Sequence, residues 1–301
     1  MKIVSSCCVL FLLLGCYQNN KTVVIDLVAY KAELDQWHEK RIEYLKSPDG
    51  WLNLAGLFWL KDGVSTFGGD DSNDIVFPKD KIPGKAGLFL LQNGIVTMTT
   101  LPEVDIFSGA QQVKTGVVFH PDSTRQPKLS HGTLQWFIIK RDNQFGIRLR
   151  DLKSTTVEEF QGIENYEVDP EFRTEAILEI SSQPKKIDIT NVLGQTTAQD
   201  SPGSLVFTIK GKEYRLDPLV EGDELFVIFG DPTNEHDTYP SGRYLYANTP
   251  GPDGKTILDF NKAFNPPCAF TPFATCPLPP SQNVLPVAIT AGEKNFKGYI
   301  H

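Results

Sequence analysis

The chain has 301 residues, of which 40% are hydrophobic and 22% charged, and its 37 acidic side chains outnumber 29 basic ones for a formal net charge of −8. That is the composition of a globular protein long enough for two ordinary domains, not of a disordered chain. The acidic balance argues against phosphate-backbone binding, so no nucleic-acid partner is expected, and equally against an electrostatic grip on anionic lipid.

At the N-terminus Lys2 supplies a positive charge, residues 9–14 a short apolar run, and Leu13-Leu14-Gly15-Cys16 follows. The run falls well short of the roughly 20 apolar residues that cross a bilayer. The stretch resembles the signal of bacterial lipoproteins. That resemblance implies removal of residues 1–15, acylation of Cys16 with palmitate-like chains, and a membrane partner reached through the lipid anchor. Tyr17-Gln18 after the lipidated residue then suggests the periplasmic side of the outer membrane. Residues 16–24 read as a tether. Cys7 and Cys8 leave with the signal, so of five cysteines only Cys268 and Cys276 stay free to pair. Outside the cytoplasm such a pair forms a disulfide. The competing reading, a zinc site, lacks two further ligands, since only His301 lies near in sequence.

A helix follows the tether. Leu27, Tyr30, Leu34, Trp37 and Leu45 recur at helical spacing, Asp26 suits the N-terminal cap, and Ser47-Pro48-Asp49-Gly50 ends the pattern. The stripe reads as a packing face against the domain that comes next, and His38 as a surface histidine. From Trp51 onward short apolar runs alternate with Gly, Asn, Asp and Pro, which predicts mostly β structure. Strands are expected over 51–60, 75–78, 88–92, 95–99, 112–119, 133–141, 145–149, 176–180, 185–190 and 205–209. Further strands are expected over 213–216, 224–229 and 243–247. Asp142-Asn143 and Lys210-Gly211-Lys212 read as hairpin turns. The division expected is a helix plus β-sandwich-like domain over 25–165 and a second β domain over 166–301. A proline-rich strap stapled by the disulfide would close the second domain.

Within the first domain "TFGGDDSNDIVFP", from Thr66, resembles the opening of a forkhead-associated domain, the β-sandwich that binds phosphothreonine. The arginines that would grip the phosphate are replaced by Gly68-Gly69 and by Ile82-Pro83-Gly84-Lys85-Ala86. The resemblance therefore implies sandwich geometry but no phosphopeptide binding.

The densest polar constellation is "FVIFGDPTNEHDTYPSGRYLY", from Phe226, with "DFNKAFNPPCAFTPFATCPLPPSQN", from Asp259. Together with "WLNLAGLFWL", from Trp51, these stretches resemble the bacterial domain-of-unknown-function family 1684 over nearly all of the mature chain. That family implies no activity, so the residues must argue for themselves. One reading is structural: Arg243 pairs with Asp231 or Asp259, and Asn261, Asn265 and Asn283 tie down loop backbone. The other is a cleft in which Asp231 and Asp259 are acid/base candidates, Arg243 clamps an anion and Tyr239 donates or stacks. The first suits a lipid-anchored binding module for a small anionic or carbohydrate ligand; the second suits an envelope hydrolase acting on a glycan or ester. Glu235-His236-Asp237 lacks convergent geometry for a metal, and there is no G-x-S-x-G elbow, phosphate loop or dinucleotide fingerprint, so no cofactor is expected.

Overall fold

The computed structural model describes residues 25–298. The expected signal, Cys16 and the 16–24 tether lie outside the described residues, as does His301. A single long helix, Leu27–Lys46, opens the structure, and Asp26 caps it by accepting from the backbone N–H groups of Val28 and Ala29. Among the described residues no helix is long and apolar enough to cross a membrane.

The β-sandwich-like first half forms from two antiparallel-rich sheets. One runs in the order Leu54–Trp59, Gln144–Asp151, Leu134–Arg141, Leu129–His131, Phe107–Ser108 and Gln111–Gln112. The other runs Ile75–Val76, Gly63–Gly68, Gly87–Gln92, Ile95–Thr100 and Thr115–Phe119. Phe67, Phe77 and Phe89 from the second sheet pack with Trp136, Ile147 and Leu149 from the first in one buried core. Period-two alternation explains the strand that matters later. In Gln144–Asp151 the side chains of Phe145, Ile147 and Leu149 enter this core, which turns Arg148 and Arg150 to the opposite face. The hairpin turn at Asp142 has its expected positive φ.

The second half is built on a long hairpin, Arg173–Thr190 with Thr196–Ile209, flanked by Lys212–Leu216 on one edge and Lys255–Asp259 on the other. The two short strands expected at 176–180 and 185–190 are one strand with a pairing irregularity between Ile180 and Lys185. A three-stranded sheet, Leu219–Glu221, Glu224–Phe229 and Arg243–Asn248, packs beside it. Phe172, Phe207, Phe229, Leu245 and Phe260 share its core.

The helix stripe packs against both halves rather than only against the domain that comes next, and Leu27 at its start is exposed. Tyr30 donates to Asp259 at 2.7 Å, Lys262 pairs with Glu33 at 2.5 Å, and Arg41 pairs with Glu293 at 2.9 Å. Leu45 packs with Leu52, Phe160, Ala269 and Phe270. An apolar stripe fixes which face of a helix is buried, not which distant segment buries it. His38 is half-buried rather than exposed, and its Nε2 has no hydrogen-bond partner.

The strap is present. Cys268 and Cys276 form a disulfide with Cα atoms 6.1 Å apart. Between and beyond them the chain runs through short turns at Pro267–Ala269 and Ser281–Asn283, and single backbone bridges tie Phe264 to Tyr244, Pro277 to Asn191 and Val284 to Gly230. Six prolines in this stretch reduce the conformational entropy lost when so irregular a segment is fixed.

Candidate functional site

The polar residues singled out in the sequence separate into three buried clusters. In the first, the apolar strand Glu224–Phe229 delivers Asp231 to the start of a short 3-10 turn, Pro232–Glu235, where its side chain accepts from the Thr233 N–H at 2.9 Å and from the Ile289 N–H at 3.1 Å. Its other oxygen meets Arg243 at 2.9 Å. Arg243 is fully buried, lies over the Phe229 ring, and donates to the carbonyls of Ile289 and Ala291 as well. Gly242 beside it has φ +89°, and a Cβ there would strike Pro279 of the strap and the Phe229 carbonyl. Strap and strand are thus closed over this arginine.

In the second cluster Asp259 receives the Tyr30 hydroxyl, and Asn261 donates to that hydroxyl at 3.0 Å and to the Asp169 carbonyl at 2.9 Å. Burial and then the Asp259 carboxylate push the Tyr30 phenol well above its ordinary value. In the third, Asn265 donates its backbone N–H to Glu293 and its side-chain amide to Lys294, while its carbonyl accepts from Arg41. Asn283, apart from these, accepts from the Asp217 N–H and donates to the carbonyls of Asp217 and Ile228. Tyr239 is half-buried against Cys268, Ala274 and Cys276, and burial raises its phenol.

The expected cleft over Asp231, Asp259, Tyr239 and Arg243 is therefore replaced by separate clusters. The two aspartates serve different elements, one the strap and one the helix. Of the candidate catalytic and binding residues Asn265 alone lines the cavity described next, together with Cys276 of the disulfide. The reason is physical: short polar side chains in proline-rich turns satisfy backbone groups that no regular ladder can reach.

That cavity, about 770 Å³, lies where the helix, both halves and the strap meet. Trp37, Lys40, Arg41 and Tyr44 face it from successive turns of one helix surface, and Trp51 from the following loop. Phe226, Tyr244 and Tyr246 face it from the three-stranded sheet. Phe226 and Tyr246 are cross-strand partners with ring centroids 4.9 Å apart, and Tyr246 stacks on Phe264 of the strap at 5.8 Å and 11°. The strap adds Ala274, Thr275, Cys276 and Pro277.

Its charged groups differ sharply in what they already hold. Arg41 is engaged with Glu293 and sits 4.6 Å over the Phe264 ring. Glu221 accepts the Tyr246 hydroxyl at 2.9 Å; burial, and then this bond to Glu221, raise that phenol. Lys40 and Arg141 are exposed at the margin. Arg148 is only 7% exposed, yet among the described residues no oxygen accepts from its guanidinium and no carboxylate pairs with it. Burial, then the like charges of Arg141 and Arg150, lower it to about 10. Arg150, on the same face, is by contrast bonded to Gly50 and Asn53. The signal for Arg148 is visible in "FGIRLRD": arginines alternating with Ile and Leu give a strand one apolar and one cationic face.

With this geometry in place, comparison with known families is informative about ancestry alone. Residues 158–294 match the family described as Protein of unknown function (DUF1684). The matched stretch lies in the C-terminal half. It takes in the Arg243 cage and the strap, while the "WLNLAGLFWL" stretch that contributed to the resemblance lies outside it. The matched residues supply Phe226, Tyr244, Tyr246 and Phe264 to the cavity; Trp37, Tyr44, Trp51, Arg141 and Arg148 come from outside them. A structure determined by solution NMR, an uncharacterized protein of Haloarcula marismortui, is 29% identical, with a TM-score of 0.39, over 47% of this chain and 80% of that one. No curated protein matches the chain.

Proposed function

We propose that the protein is a lipid-anchored envelope binding module whose site is the cavity between helix, sheets and strap. One observation carries this reading: seven aromatic side chains from four separate parts of the chain line a single concavity of about 770 Å³. Ligand sites of roughly 300–1,000 Å³ with apolar walls and few polar groups are the usual form of a small-molecule pocket. The hydrolase alternative finds less support, because Asp231 and Asp259 occupy different buried clusters and neither lines the cavity. The anchor rests on the Leu13-Leu14-Gly15-Cys16 sequence. Placement on the periplasmic side of the outer membrane rests on Tyr17-Gln18 and is tested by fractionation with Cys16→Ser, which is expected in the soluble fraction.

The cavity is tested with phenylnaphthylamine, an uncharged two-ring dye whose binding is read by energy transfer from Trp37 and Trp51. The full chain is expected to bind it, and Thr275→Trp, which fills the cavity from the strap, to lose at least tenfold in affinity. Equal binding by both proteins, or binding by neither, would refute the site.

A further inference from the structure

Taking the cavity as the ligand site, we infer that its ligand carries an anionic group, a carboxylate or phosphate ester, on an apolar ring-bearing body, with Arg148 as the counter-charge. A buried guanidinium is normally surrounded by acceptors, because stripping its water without replacing those hydrogen bonds is costly. Nε lacks a partner in all three buried arginines, but the terminal nitrogens of Arg243 and Arg150 find acceptors, and among the described residues those of Arg148 find none. The residue is not a loose surface group that happens to lack a partner. Its backbone is fixed between two neighbouring strands, opposite Leu57 and Phe137, and its side chain lies against the cavity.

The surrounding charges point the same way. Lys40 and Arg141 stand at the margin, so an approaching anion meets positive potential focused by apolar walls. Glu221, the one carboxylate lining the cavity among the described residues, accepts the Tyr246 hydroxyl and forms no ion pair with Arg148. The planar fork of an arginine matches the two oxygens of a carboxylate or phosphate, and the stacked rings of Phe226, Tyr246 and Phe264 match a flat apolar body. A neutral sugar would stack on those rings equally well, but it would leave Arg148 desolvated and without an acceptor charge. This decides between the anionic and carbohydrate alternatives.

The test compares phenylnaphthylamine with anilinonaphthalene sulfonate, the same ring system bearing one anionic group, on the full chain. The sulfonated dye is expected to bind at least tenfold more tightly. Arg148→Met should erase that preference, its affinity for the sulfonated dye falling to or below that for the uncharged one, with near-ultraviolet circular dichroism showing the fold intact. Arg148→Lys should keep part of the preference, and it carries the comparison if the methionine variant does not fold. Displacement of the sulfonated dye by naphthoate or by naphthyl phosphate distinguishes carboxylate from phosphate ester; displacement by neither overturns the assignment. Equal affinity for the two dyes, or a preference that survives in Arg148→Met, overturns the anion inference and leaves the cavity standing. Binding of neither dye removes both.

Discussion

Arg243 and Arg148 are both buried, both project from strands, and both lie close to the strap, yet their surroundings are opposite. Around Arg243 a carboxylate and two main-chain carbonyls converge, and the disulfide-closed segment shuts water out. Arg148 shares its cavity with aromatic rings, feels the charges of Arg141 and Arg150, and has no acceptor among the described residues. Burial alone therefore does not separate a structural arginine from a binding one. What separates them is whether the protein has already supplied the counter-charge.

The contrast breaks most visibly at Asp231. Asp231→Ala strands the Arg243 charge in a sealed interior and is expected to cost about 3–5 kcal/mol in urea unfolding; a loss below about 1 kcal/mol would mean that Arg243 is not held as described. Next comes the strap. Cys268→Ser with Cys276→Ser opens a small loop and should cost about 2.5 kcal/mol in the chain-entropy account. Because the strap borders both the cage and the cavity, stability and dye binding should fall together, and a fall in only one would show that the two regions are not joined through it. Tyr30→Phe removes the hydroxyl bonded to Asp259 and is expected to cost about 1–2 kcal/mol.

The same tyrosine sets a pH limit. Its folded value is raised by burial and by Asp259, so its stabilising contribution is whole below the free phenol value of about 10 and is lost as pH climbs from there toward the raised one. Urea midpoints for the parent chain should drop more steeply above that pH than those of Tyr30→Phe; parallel curves would remove Tyr30 as the cause. The smallest expected effect on stability belongs to Arg148→Met, whose melting temperature should be unchanged or slightly higher, since it replaces an unsatisfied charge by an apolar chain of similar length. A large destabilisation there would make Arg148 a second Arg243.

Much of this was legible in the sequence where the determinant is local. Asp26 followed by an apolar stripe gives a capped helix, Asp142-Asn143 and Lys210-Gly211 give hairpins, and subtracting the signal cysteines leaves Cys268 and Cys276 to pair. Among the strands the sequence does not predict, which include Leu129–His131 and Leu219–Glu221, Gly63–Gly68 and Lys255–Asp259 are bounded by glycine or run into a polar cap, and only their pairing with distant strands makes them strands. The site was misplaced for a related reason. Asp231, Asp259, Asn261 and Asn283 are dense in sequence because irregular backbone needs polar side chains, and a sequence does not say whether such groups point at backbone or at a ligand. Arg148 sat inside a run read as core strand, and its alternate face became significant only once a cavity was seen to lie against it.

The helix that forms one wall of the cavity has a further consequence. Its ties to Asp259, Lys262 and Glu293 bridge sequence separations of 229 and 252 residues. Contacts of such range are slow to form, because loop closure must precede them. A chain that emerges from synthesis N-terminus first thus carries the N-terminal turns of this helix undocked until nearly every later residue has appeared, although Leu45 can meet Leu52 and Phe160 early. The sandwich can collapse early around Phe67 and Trp136, but the cavity is assembled last, so a truncation before Asp259 should leave a folded sandwich with the helix held only at its Leu45 end in place of a half-built pocket.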